Sequence, residues 1–256
     1  MTTEAHTTDL QRYVLHLADT HLVLAQRLGE WCGHGPVLEQ DIALTNIGLD
    51  LLGQSTTLYQ YAATLLNDGR TEDDLAFMRR EHEYTNVLLV EQPNGDFGVT
   101  VARQFYFDVF QRLFLKGLAN SKDEALAGMA EKALKEVTYH LKWSSEWVIR
   151  LGDGTDESHA RMQKALNDLW MYTGELTTPT AYETALAEAG YIPNLASLRE
   201  LWLEQVKQVI TEATLVMPAA DAWMQQGGKT GRHTEHLGYI LTDMQYLQRT
   251  YPGMKW

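Results

Sequence analysis

Four acids fall at positions where a helical protein could hold a metal: Asp19, Asp50, Asp108 and Glu136, with His140 close behind the last. A carboxylate-bridged di-iron site in a helical bundle takes a Glu from each of two helices and a Glu-x-x-His pair from each of the other two. The spacing of three sets carboxylate and imidazole one turn apart on the same face. No glutamate of this chain has a histidine three positions later. Three after Asp50 stands Gly53, and three after Glu136 stands Tyr139. His140 is four after Glu136, which displaces it by about 40° around the helix. The reading that follows is no metal and no catalytic residue in this chain. Asp50, Asp108, Glu136 and His140 then form a buried polar network, which must be well paired because buried charge is costly. The rival reading is a di-iron oxygenase subunit in its own right that uses those four residues.

Other motifs lead to less chemistry. Asp156 and His159 have the right spacing, but they follow Gly154 at a helix start, where capping is the expected role. Gly228-Lys229-Thr230 resembles the end of a phosphate loop, yet the glycine needed five positions earlier is Trp223. His233 and His236 could share a zinc ion on a helix, but a third ligand is not visible. Helix initiation or contact with a partner is expected there instead. Cys32 has no recognisable base nearby and reads as a small hydrophobe.

The elements that must position these groups are helices. Tyr13, Leu17, Leu24, Leu28 and Trp31 mark one face of a first helix over residues 8–31. A second helix is predicted over 38–66, with Ile42, Leu49 and Leu52 facing inward. A shorter one follows over 74–90, and residues 91–96 read as a plain turn. Long helices are predicted over 97–118 and from Ser121 to 151, with Ser121 as N-cap and Glu124 at the capping-box position. Shorter helices are expected over 159–176, 180–189, 195–217 and 236–249. The fold class is all-α: a four-helix bundle over about 8–151 with a helical extension over about 157–256, in one domain. Trp143, Trp147 and Trp170 are expected in the core.

Composition excludes several function classes. The 256-residue chain carries 21 Lys and Arg against 34 Asp and Glu, a formal charge of −13, which argues against a nucleic-acid partner. One cysteine allows no internal disulfide and suits a reducing compartment. Polar residues interrupt residues 14–28, and no apolar stretch approaches a membrane span, so a cytoplasmic location without a signal peptide or membrane partner is expected.

Blocks of sequence carry a resemblance over essentially the whole chain. Residues 27–36 (RLGEWCGHGP), 46–54 (NIGLDLLGQ), 90–95 (VEQPNG), Lys135-Glu136 with Tyr139-His140, and 154–156 are among them. So are 212–214, 233–238 (HTEHLG) and 244–249 (MQYLQR). Together they resemble the C-subunit family of bacterial phenylacetyl-CoA 1,2-epoxidases. That resemblance implies a ferritin-like, non-catalytic subunit serving aerobic phenylacetate catabolism. It implies a heteromeric core, of heterotetramer type, with a catalytic A subunit that holds the di-iron centre. A separate reductase with flavin and iron-sulfur groups would bring electrons from NADPH, and a homodimer is implied as an option for the isolated chain. It further implies that this subunit approaches bound phenylacetyl-CoA near the interface, through Glu83, Tyr84, Thr85 and Asn86 and through Thr184, Ala185 and Leu186.

Overall fold

The computed structural model describes residues 3–254, with side chains from His6 onward. In chain order the helices are α1 (Thr3–Gly29), α2 (Leu38–Leu66), α3 (Glu72–Phe77), α4 (Leu88–Glu91), α5 (Phe97–Leu118) and α6 (Glu124–Gly152). Then come α7 (Asp156–Trp170), α8 (Gly174–Thr177), α9 (Ala181–Glu188), α10 (Leu195–Glu212) and α11 (Glu235–Thr250). Short 3-10 turns lie at Glu81–Glu83 and Gly228–Thr230. The all-α, ferritin-like class expected from the sequence holds, with no strand among the described residues.

Two compact units divide the chain. The first comprises residues 1–93 and 227–256, so α11 returns to the N-terminal elements; the second comprises residues 94–226. Each is framed by one long hairpin, α1 with α2 and α5 with α6.

In the first unit the hairpin closes on small residues. A Cβ on Gly48 would stand 3.4 Å from Leu28 Cβ and 3.6 Å from the Ala25 carbonyl, so α2 lies directly against the α1 backbone. Ser55 Oγ donates to the Ala18 carbonyl at 2.9 Å, one further tie across the same seam. The inner stripe of α2 is Ala43, Leu44, Ile47, Gly48, Leu51, Ser55, Leu58, Tyr59 and Ala62. This corrects the expected orientation: Ile42, Leu49 and Leu52 are exposed, not inward. The helix is apolar on two sides, and the buried side combines Leu44, Ile47, Leu51 and Leu58 with the small Gly48 and Ser55 that permit the close approach to α1.

The single helix predicted over 74–90 is three pieces: α3, the 3-10 turn and α4. Thr71 stops fraying at the start of α3 through a capping box, its Oγ1 accepting from Asp74 N and its own N donating to Asp74 Oδ2.

The second unit has an aromatic core. Tyr106, Trp170 and Trp202 meet with ring centroids 5.7 Å apart in each pair. Their polar ends are satisfied: Trp202 Nε1 donates to the Tyr106 carbonyl at 3.0 Å, and Tyr106 Oη to the Leu166 carbonyl at 3.1 Å. Trp143 is also buried, whereas Trp147 is half-buried with its ring edge-on to Phe97.

Two caps differ from the expectation. Asp123, not Ser121, is the N-cap of α6, accepting from Leu126 N at 3.0 Å. Ser121 instead donates to the Tyr191 carbonyl at 2.6 Å, which ties the start of α6 to the end of the α9 segment. Thr155 caps α7, while His159 Nδ1 lies 2.7 Å from the Gly152 carbonyl and closes the end of α6. The expected capping role of His159 therefore falls on the preceding helix.

Candidate functional site

The metal reading can be tested on each acid. Asp19 on α1 is fully buried and taken up by protein donors. Arg79 Nη1 reaches its Oδ2 at 3.2 Å, Arg79 Nη2 contacts Oδ1, Tyr59 Oη donates to Oδ1 at 2.6 Å, and Thr85 N donates to Oδ2 at 2.9 Å. Arg79 is itself held from all sides. Its Nε donates to the Leu75 carbonyl, its Nη1 to the Glu83 carbonyl at 2.9 Å, and its guanidinium stacks over Tyr84 at 4.3 Å. Burial works against its charge, but the Asp19 carboxylate more than offsets that and raises its pKa above the usual arginine value.

Asp108 on α5 is also fully buried, but its hydrogen-bond partners are neutral. Gln104 Nε2 donates to Oδ1 at 2.6 Å, and Ser144 Oγ on α6 lies 2.8 Å from Oδ2. Burial pushes its pKa up to about 8, against the pull of those two hydrogen bonds. Burial therefore favours the neutral carboxyl near pH 7, although Ser144 Oγ donates to Oδ2. Asp19 has both oxygens taken by protein donors, and burial disfavours the ionised form of Asp108 that a metal would require.

Asp50 on α2 and Glu136 on α6 are half-buried, and His140 is buried. Gly53 offers no ligand, and Tyr139 is half out in solvent. These residues do not fit a di-iron centre. Among the described residues, no three His, Cys, Asp or Glu side chains converge in a way that would hold a metal.

The implied substrate positions divide between the units. In the first, Glu83 is exposed and Thr85 half-buried, while Tyr84 and Asn86 are buried. Tyr84 Oη donates to the Ala76 carbonyl and receives Gln245 Nε2 from α11 at 3.1 Å. Asn86 Nδ2 donates to Glu91 at 3.0 Å. In the second unit Thr184 is exposed, Ala185 half-buried and Leu186 buried. Thr184 Oγ1 turns back onto the Thr180 carbonyl at 3.1 Å.

Glu91 is a further correction. Expected in a plain turn, it is fully buried and ends α4 as an anchor. Its Oε1 accepts from Thr234 N at 2.7 Å, and its Oε2 from Asn86 and from His233 Nδ1 at 3.0 Å. Arg27 Nη2 donates to its carbonyl at 2.8 Å. Sequence reasoning also missed Arg79 and Tyr59. The only local signal was a cation closing the apolar run Leu75-Ala76-Phe77-Met78.

The remaining feature lies outside the core. Leu38, Ile42, Leu49 and Leu52 on α2 are 72, 51, 59 and 38% exposed, with Thr45 and Thr56 completing the row. The positions 38, 42, 45, 49, 52 and 56 step by four and three alternately, the seam spacing of packed helices. The row runs for about 27 Å at 1.5 Å per residue. Its flanks are acidic or neutral: α2 carries Glu39, Asp41 and Asp50 and no Lys, Arg or His. Isolated exposed leucines need no explanation, whereas here four large apolar side chains share one exposed row.

No helix of the described residues is long and apolar enough to cross a membrane. Over residues 1–256 the chain matches the family described as phenylacetic acid catabolic protein. It is 50% identical over 247 residues to the C subunit of the 1,2-phenylacetyl-CoA epoxidase of Escherichia coli (strain K12), covering 96% of this chain and 99% of that protein. A match across the full length, with the motif blocks at residues 27–36 and 46–54 framing the α1–α2 hairpin, shows that the chain belongs to the phenylacetic acid catabolic protein family.

Proposed function

We propose that this chain is the structural subunit of a multicomponent phenylacetyl-CoA epoxidase in aerobic phenylacetate catabolism, and that it supports a related ferritin-like subunit which holds the di-iron centre. The α2 seam carries the reading. It is an apolar helical face long enough to pack along a partner helix, on a hairpin whose own core is already closed. Its acidic flanks suit a partner helix with Lys or Arg beside its apolar row and disfavour pairing with a second copy of itself. The buried acids support the same reading, since Asp19 and Asp108 are committed to protein partners. The 50% identity to the epoxidase's C subunit supports the complex and its substrate class.

In this reading the chain performs no bond-making step. It positions: a metal subunit needs its ligand-bearing helices held rigid, and a long packed helix face supplies that constraint. Of the positions implied for acyl-CoA contact, Glu83 and Thr184 are exposed and Thr85 and Ala185 half-buried. Tyr84, Asn86 and Leu186 hold those segments from within. Flavin and iron-sulfur chemistry belongs to the separate reductase in this scheme.

Co-expression with the neighbouring ferritin-like subunit tests it. Replacing Ile42 and Leu49 by Glu, on a surface that leaves the core intact, is expected to abolish co-purification and ring oxidation while the chain still folds. A complex that survives both changes with full ring oxidation overturns the assignment of the seam.

A further inference from the structure

His233 sits at the junction between the 3-10 turn Gly228–Thr230 and α11, with its side chain fully buried. Both ring nitrogens face acceptors. Nε2 lies 2.8 Å from the Tyr84 carbonyl, which can only accept, and Nδ1 lies 3.0 Å from Glu91 Oε2. Glu91 already receives the Thr234 amide and the Asn86 side chain, a donor set that fits an ionised carboxylate. The imidazole must then donate at both ends, which only the histidinium form can do. A neutral ring would leave either the carbonyl or the carboxylate without its donor, in a place water does not reach.

We infer that His233 is an ionic clasp that fixes the returning C-terminal segment, residues 227–250, onto the 84–91 segment, and that alkaline conditions release it. The charged and titratable groups around it come from every packed element. Glu91 stands on α4; Asp19 on α1 is paired with Arg79, which follows α3; and Arg27 on α1 grips the Glu91 carbonyl. Glu81 in the 3-10 turn Glu81–Glu83 lies beside Gly238 of α11, the His82 carbonyl lies against Gly231, and Glu235 and His236 open α11 itself. Burial alone would lower the His233 pKa, but the hydrogen bond and charge of Glu91, with the Tyr84 carbonyl and Asp19, hold it above the ordinary histidine value.

The sign follows from linkage. A raised folded-state pKa gives a contribution that is complete below the unfolded histidine value of about 6.5 and is lost as pH rises through the folded value. Release would loosen α11, which presents Tyr239 and Tyr246 outward, while Gln245 still ties it to Tyr84 and to the Arg79 carbonyl. A local opening is therefore expected rather than unfolding.

Hydrogen exchange of the full chain from pH 6 to 9.5, corrected for intrinsic base catalysis, reads the clasp directly. Protection in residues 84–91 and 235–250 should fall at least tenfold across the titration, while α2 changes by less than twofold. Histidine NMR on the same chain should show the His233 ring titrating above 6.5 with the same midpoint, assigned by its absence in His233→Gln. Glu91→Gln should move that midpoint down by at least one pH unit. If either variant fails to fold, the wild-type pairing of ring titration with protection loss still decides. Protection that does not change with pH, or a ring that titrates at or below 6.5, overturns the proposal.

Discussion

Two buried aspartates on two long helices solve the same electrostatic problem in opposite ways. In the first unit Asp19 keeps its charge, because Arg79 is brought beside it and locked by Tyr59, Tyr84 and the Leu75 and Glu83 carbonyls. In the second, burial with no cation beside it drives Asp108 toward its neutral form, against the weaker pull of its amide and hydroxyl partners. Both arrangements satisfy a carboxyl without a metal. They differ in what they tolerate: the ion pair does not tolerate the loss of one member, whereas the neutral carboxyl tolerates substitution but not alkali.

The largest expected effect comes from breaking the ion pair. Arg79→Met removes the cation and leaves Asp19 charged in the core, which should cost about 3–5 kcal/mol in chemical denaturation. A loss below about 1 kcal/mol would mean that water or another cation reaches Asp19. The opposite result is expected at Asp108. Its folded pKa lies above the ordinary aspartate value of about 3.9, so its contribution is complete below about pH 4 and falls away as pH rises toward the folded value. That drift is on the order of 4 kcal/mol between pH 4 and 7. Asp108→Asn keeps both hydrogen bonds without the proton, so it should stabilise the chain by about 1–3 kcal/mol at pH 7 and flatten its stability between pH 5 and 8. Destabilisation by that variant would show that the carboxyl is ionised and served by a cation. The smallest effect is expected at Tyr59→Phe, which removes one of several donors to Asp19. A loss of about 1–2 kcal/mol by the same denaturation measurement is predicted, since the guanidinium remains.

The sequence conveyed the helices better than their orientation. The long helices begin or end close to where Asp96, Asn67 and Asp153 place cap and turn chemistry, because such signals act locally. The inward face of α2 was not legible, because Leu44, Ile47 and Leu51 on one side and Ile42, Leu49 and Leu52 on the other are equally apolar, and only the small Gly48 and Ser55 distinguish the side that meets α1. Periodicity records hydrophobicity, whereas the close approach at Gly48 is decided by size. The polar anchors were the least legible. Glu91 and His233 are 142 positions apart, and Asp19 and Arg79 are 60 apart, so no local spacing announces either pair. What the sequence did convey about the acids was negative: Gly53 and Tyr139 stand where an imidazole would be needed.

Asp19 and Asp108 have their oxygens engaged by protein donors, and in the proposed function this chain holds no di-iron centre. Ferrous iron supplied to the purified chain under anaerobic conditions, followed by desalting and metal analysis, tests that occupancy without intermediaries. Well below one iron per chain is expected, with no oxygen-dependent turnover of phenylacetyl-CoA. Two irons retained per chain, with substrate oxidised when oxygen is admitted, would mean that the acids are free to bind metal after all.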